Sequence, residues 1–123
     1  MNGEVTDYVA GLWLKAFTPC WWSLHTADPG HDGSVQSELI GGSYARQSAA
    51  FTTVDARTVW LATKLTWPGL PAARVTHVGV WDALYNGHLL TFAALPAPGK
   101  DVAQGGAITL DPHTYAISIG LPV

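Results

Sequence analysis

The stretch WWSLHTADPG, Trp21 to Gly30, decides how this chain is read. Its histidine and aspartate invite a reaction centre or a metal site. Its alternation invites a strand. Trp22, Leu24 and Thr26 fall on one face, and Trp21, Ser23 and His25 on the other. Asp28-Pro29-Gly30 then turns the chain, since proline presets φ and glycine accepts a positive one. On this reading Leu24 faces a core, His25 faces solvent on the opposite side, and Thr26 and Asp28 bond local backbone amides at the corner.

The flanks support the strand. Upstream, Val5, Val9, Leu12, Trp13 and Ala16 follow a helical stripe, so 3–17 reads as one helix, ended by Thr18-Pro19. Downstream, 31–42 reads as an exposed loop with a helical turn near Val35–Leu39, and 44–51 as a second strand after Gly41-Gly42. Val59, Leu61, Thr63, Leu65 and Trp67 share one face of a strand over 58–67, which Pro68-Gly69 and Pro71 should terminate. Segments 75–81 and 88–95 read as an antiparallel pair, with Asn86-Gly87 as the turn signal between them. Weak strands at 101–103 and 107–110 precede a last one at 114–121, where Tyr115, Ile117, Ile119 and Leu121 alternate with Ala116 and Ser118. One helix followed by short, Gly/Pro-punctuated strands excludes parallel βαβ units. It predicts a mainly-β single domain over 1–123: the helix at 3–17, then a jelly-roll-like antiparallel β-sandwich of seven or eight strands over 20–123.

Composition narrows the function. Charged residues are 12% of the 123, half the usual ~25%. The net charge of −3, with six Lys plus Arg, leaves no basic stripe for nucleic acid. Apolar residues reach 48%, and six are Trp. A surface so poor in charge is expected to be covered by other protein chains. The N-terminus lacks the pattern of a signal peptide, and no apolar run approaches the ~20 residues of a membrane span. One cysteine excludes an intrachain disulfide.

Tests for chemistry return little. His25, Asp28, His31 and Asp32 lie close together, but their spacing matches no closed zinc site. Cys20, between proline and two tryptophans, reads as a small buried side chain with blunted reactivity. The only glutamates are Glu4 and Glu38, and no serine sits in a G-x-S-x-G elbow. Gly41-Gly42 and Gly105-Gly106 precede strands, so no helix N-terminus backs an anion. No catalytic residue, metal or cofactor is expected. A sugar-binding aromatic platform remains as an alternative.

Several stretches together resemble a family of small tailed-phage virion proteins, the tail-fibre-like or minor tail proteins. They are LHTADPG (Leu24–Gly30), GGSYARQ (Gly41–Gln47) followed by Phe51, VTHVGVWDA (Val75–Ala83), the return at Gly87–Leu90 and the final alternating strand Thr114–Leu121. The chain departs from the pattern in Cys20-Trp21-Trp22, in Trp60 and Trp67, and in the WPGLP segment. The resemblance implies a non-enzymatic structural protein of the virion, assembled in the host cytoplasm. It implies a homo-oligomer that also contacts other virion proteins, with no nucleic acid or membrane partner. Tail association ranks first, decoration of the capsid through the major capsid protein second, and a carbohydrate-binding module touching a host-surface glycan third.

Aromatic and arginine side chains dominate interface energetics. The candidate interface residues are therefore Val5, Val9, Leu12 and Trp13 on the helix, Tyr44 and Arg46, and Trp60 and Trp67. Tyr44 and Arg46 lie two apart, on one face of their strand. The guanidinium there is expected to stack on an aromatic ring or clamp a carboxylate, with Asp28 and Asp82 as candidate partners.

Overall fold

The computed structural model describes residues 1, 3–17, 19–34 and 36–119. The chain is mainly β and antiparallel, with one helix near the N-terminus, as its periodicities indicate. Helix α1 (Asp7–Lys15) starts where the Thr6 side chain accepts from Val9 N, and Asp7 and Lys15 oppose its dipole at either end. It is shorter than the expected 3–17, and Thr18 of the expected stop lies outside the described residues.

Among the described residues eleven short strands follow, where seven or eight were expected: β1 (Trp21–His25), β2 (Gln47–Ser48), β3 (Phe51–Asp55), β4 (Thr58–Leu61), β5 (Leu65–Leu70), β6 (Ala73–Val75), β7 (His77–Trp81), β8 (Leu89–Ala94), β9 (Lys100–Val102), β10 (Gly106–Leu110) and β11 (Ala116–Ser118). They form four small sheets in the orders β2-β1-β7-β8, β11-β4-β3, β10-β5 and β6-β9. The surplus arises because strands change sheets midway. The expected strand 58–67 splits into β4 and β5 at exposed Thr63 and Lys64, and 75–81 splits at Thr76. Alternation reports which face meets the core: the phase holds across the first break, from Val59 and Leu61 to Leu65 and Trp67, but shifts by one residue at Thr76, where Val75 is followed in the core by Val78 and Val80. The expected strand 44–51 shrinks to β2, and Phe51 opens β3.

Pro68-Gly69 does not terminate its strand. Trp67 pairs with Ile108 and Leu70 with Gly106, so β5 carries one residue more than β10 there. This is a β-bulge, with Gly69 at φ 64. The Gly69 carbonyl accepts from Ser43 N at 2.8 Å, which ties the Gly41-Gly42 corner to the bulge.

The four sheets share one sandwich-like core that includes Trp22, Leu24, Leu61, Trp67, Leu70, Val78, Val80 and Ile108. Trp22 meets Tyr115 edge-on, with ring centroids 4.9 Å apart. Burying an indole contributes roughly 4–6 kcal/mol of gross transfer energy. Among the described residues Trp22 Nε1 and Trp67 Nε1 have no hydrogen-bond partner, at a cost of about 1–3 kcal/mol each, so burial still wins. Helix α1 buries Ala10 and Leu14, and Phe17 meets Phe51 edge-on at 5.9 Å. Arg57 anchors the helix start, bonding Asp7 at 2.8 Å and the Val5 carbonyl. The buried face is thus Ala10/Leu14, which leaves Leu12 and Trp13 of the expected stripe outside. Val35 lies outside the described residues, and Ser37 to Leu39 run extended beside β1, where a helical turn was expected. In the last strand Tyr115 is buried and Ala116 and Ser118 are exposed, as the alternation requires; residues 120–123 lie outside the described residues.

Candidate functional site

The buried polar residues gather on the side of β1 away from the core. Ser23 and His25 alternate with Trp22 and Leu24 and point from the opposite face, but that face is not open to solvent. His25 is 1% exposed, which corrects the expectation of a solvent-facing histidine. The 31–42 loop supplies the cover. Thr26 N donates to Ser37 O and Leu39 N to Leu24 O, each at 2.9 Å, so Ser37 to Leu39 bind the edge of β1 beyond the point where β2 leaves it.

A hydrogen-bond chain fixes the imidazole. Trp81 Nε1 donates to Ser23 Oγ at 2.8 Å. Ser23 Oγ lies 2.6 Å from His25 Nε2, and His25 Nδ1 lies 3.0 Å from Ser37 Oγ. Ser23 has one hydroxyl proton and already accepts from Trp81. Every group is satisfied if Ser23 donates to Nε2 and His25 Nδ1–H donates to Ser37. In that arrangement the ring is neutral. Burial is the main reason its pKa falls to about 4, with Arg46 and His77 adding to the fall and the Glu38 carboxylate opposing it. Gly79, opposite Ser23 on β7, makes room: a Cβ there would lie 2.7 Å from Ser23 Oγ and 2.8 Å from His25 Nε2.

Arg46 closes the outer side. Its Nε donates to Glu38 Oε2 and its Nη2 to Glu38 Oε1, both at 2.9 Å. Nη1 donates to Ala83 O at 2.9 Å and Asn86 O at 2.8 Å. The guanidinium carbon sits 4.0 Å from the centre of the Trp81 ring. Tyr44 donates to Glu38 Oε2 at 2.6 Å and accepts from Leu24 N at 3.2 Å. Burial pushes the Glu38 carboxyl up, but the Arg46 and Tyr44 hydrogen bonds outweigh it and hold the group below the usual carboxylate range. Burial, helped by the same carboxylate, drives the Tyr44 phenol far above its ordinary value.

Glu38 is therefore the carboxylate that Arg46 clamps, and the expected partners Asp28 and Asp82 are occupied elsewhere. Asp28 Oδ1 accepts from Gly30 N at 2.8 Å in its own turn. Asp82 accepts from His88 N at 2.7 Å and lies 2.9 Å from His88 Nδ1, bracing the turn in which Asn86 and Gly87 take φ 55 and 76. Sequence reasoning missed Glu38, Trp81, Ser23 and Ser37. The one available signal was scarcity: an arginine drawn into the fold needs a carboxylate, and Glu38 is one of two glutamates.

The other candidate residues lie apart from this cluster. Leu12 and Trp13 are 46% and 51% exposed beside exposed Tyr8, while Val5 and Val9 are half-buried. Trp60 is half-buried on the outer face of β4, stacked on His113 at 4.1 Å. Trp67 is wholly enclosed in the core, where its alternation with Leu65 places it, and offers no surface to a partner.

Within the cluster most polar groups are spent on internal hydrogen bonds. Four N–H groups of Arg46 are engaged, His25 is sealed in its neutral form, and burial raises the Cys20 thiol to about 11. A cavity of about 380 Å³ remains between His25, Glu38, Arg46, Trp81 and the Asn86-Gly87 turn. Among the described residues no three His, Cys, Asp or Glu side chains gather as metal ligands, and no helix is long and apolar enough to cross a membrane.

The fold is thus a small antiparallel β-rich one, in which a buried polar cluster beside the core ties a long loop to a sheet. The family-level match agrees. The chain belongs to the family described as podophage GP4 fiber I protein gp80, whose model matches residues 7–118. That span includes every stretch that carries the tailed-phage resemblance except the end of the last strand. No curated protein matches the chain.

Proposed function

We propose that this chain is a non-enzymatic structural component of a podophage tail, located in the virion, which docks on neighbouring virion proteins and associates with itself. Membership of a phage fibre family carries the reading. The surface supports it. Tyr8, Leu12 and Trp13 stand exposed along a helix already anchored by Ala10 and Leu14, so the fold itself does not need them outside. Beside them an open groove of about 360 Å³ runs between the helix and β3, lined by Leu12, Leu14, Phe51 and Val59. Docking at this face would remove large apolar groups from water, at roughly 25 cal/mol per Å². The non-enzymatic part of the reading rests on the same fibre-family membership.

Quantitative mass spectrometry of purified virions tests this reading. A few to a few dozen copies per particle is the expected result. Hundreds of copies would move the protein to the capsid surface. Absence from the particle would overturn the structural role, and glycan binding lost on Trp60→Ala would point instead to a carbohydrate-binding module.

A further inference from the structure

Among the described residues the sheet β2-β1-β7-β8 ends on β8, which pairs only with β7. The register sets which backbone groups are spent. Leu95 N donates to Thr76 O, and Ala93 and Thr91 stand opposite Val78 and Val80. In an antiparallel ladder these alternate residues point toward the partner strand, so Phe92 and Ala94 direct their N–H and C=O away from β7. The segment Leu89–Leu95 (LLTFAAL) contains no ionisable side chain and no proline. Natural edges are usually blunted by a lysine, a proline or a covering loop.

The edge also has a hollow on each face. Toward the core side, Val78, Ala93, Leu95, Leu110, Tyr115 and Ala116 line an apolar groove of about 520 Å³ between β8 and the strands of the other sheets. On the outer side, Asp28, His31, Leu89 and Phe92 border a second hollow of about 420 Å³. An added strand sends alternate side chains to opposite faces, so it would fill both.

We infer that the free edge of β8 is a self-association surface, on which β8 of a second copy adds antiparallel about a twofold axis. Self-association belongs to the functional reading above; the surface that performs it is new here. The edge is self-complementary. With the axis at Ala93, Phe92 of each copy faces Ala94 of the other, and the two pairs exchange four backbone hydrogen bonds. Ala93 meets Ala93 at the axis, where only small side chains need to pass. No charge of one copy meets a like charge of the other along Leu89–Leu95. The four-stranded sheet becomes a continuous eight-stranded one.

The test uses the full chain in sedimentation velocity between about 1 μM and 1 mM, the range of a strand-edge contact smaller than a standard interface. Wild type should dimerise. Ala94→Lys and Ala94→Pro, both at an exposed position whose amide leaves the ladder, should weaken the dimer more than about tenfold with unchanged melting. Amide exchange at Phe92 and Ala94 should slow on dimerisation. Trp13→Ser should dimerise as wild type does. A wild-type chain monomeric over the whole range overturns the inference, as do Phe92 and Ala94 amides already protected in the monomer. Dimerisation lost in Trp13→Ser but kept in both Ala94 variants also overturns it, and assigns self-association to the helix face with the structural role intact.

Discussion

Arg46 grips Glu38 through both carboxylate oxygens at 2.9 Å while its guanidinium lies 4.0 Å from the Trp81 ring centre. One side chain thereby joins the loop carrying Glu38, the end of β7 and the Ala83–Asn86 turn. The Arg46 side chain is 9% exposed and that of Glu38 26%, so the pair is shielded but not dry. Arg46→Ala leaves the half-buried Glu38 carboxylate with the Tyr44 hydroxyl but without its two guanidinium donors, and takes a donor from the Ala83 and Asn86 carbonyls. It should cost about 2–3 kcal/mol in denaturant unfolding at neutral pH. Arg46→Lys keeps the charge but loses the fork and the stacking, and should recover less than about half of that. A lysine variant as stable as wild type would show that only the charge matters.

Acid should weaken the fold in two steps. His25 takes up a proton near 6.5 when unfolded and near about 4 when folded. Between these values the unfolded chain holds more protons, so stability falls as the pH drops from about 6.5 to about 4, and is complete above that window. Glu38 has a depressed folded pKa, so its contribution is present above 4.5 and is lost as the pH falls through the folded value. His25→Gln should flatten the first step and leave the second. Unfolding free energies measured across pH 3–8 separate the two, and an unchanged slope in His25→Gln would refute the assignment.

Gly79→Ala should be costly although the glycine sits within a regular strand. Its Cβ would press on Ser23 Oγ at 2.7 Å, His25 Nε2 at 2.8 Å and Leu89 Cδ1 at 3.0 Å. Overpacking a satisfied polar network should cost about 2–3 kcal/mol. Thermal melting reads the loss directly, and an unperturbed melting temperature would mean that the network can move aside.

Gly69→Ala tests the bulge. The position has φ 64, and a Cβ would approach Ser43 Cβ to 2.9 Å. Strain and crowding together should cost about 1–3 kcal/mol. Amide exchange should locate the damage at Ser43 N, whose acceptor is the Gly69 carbonyl.

On helix α1, inside and outside should separate cleanly. Leu14→Ala removes a buried side chain and should cost about 2–3 kcal/mol. Trp13→Ser and Tyr8→Ser should stay within about 0.5 kcal/mol of wild type in melting, yet reduce incorporation into virions. Incorporation of both surface variants at the wild-type level would remove this face from the docking model.

Much of the fold was legible because its signals are local. Period-two alternation placed β1, β4, β5 and β11, and the Asn86-Gly87 turn signal marked the return between the paired segments that hold β7 and β8. Pro68-Gly69 misled because a turn and a bulge use the same residues, and only the opposing strand distinguishes them. The candidate site was half legible. The spacing of Tyr44 and Arg46 put them on one face, with a ring and a carboxylate as expected company. Glu38 stayed hidden because it comes from a loop without periodicity. Trp67 was misplaced because aromatic content alone does not separate an anchor from a core residue.

The sequence by itself determined the class: mainly β, antiparallel, one helix, little charge, and a tailed-phage resemblance. Apolar periodicity and turn chemistry act between near neighbours along the chain, so they can be read in one dimension. Only the tertiary structure decided that His25 is sealed, that Arg46 holds Glu38, that Ala10 and Leu14 are the inner face of the helix, and that β8 ends its sheet. Each of these depends on which distant segment lies across a strand or over a face. Burial and pairing are properties of that neighbour, and no local pattern carries them.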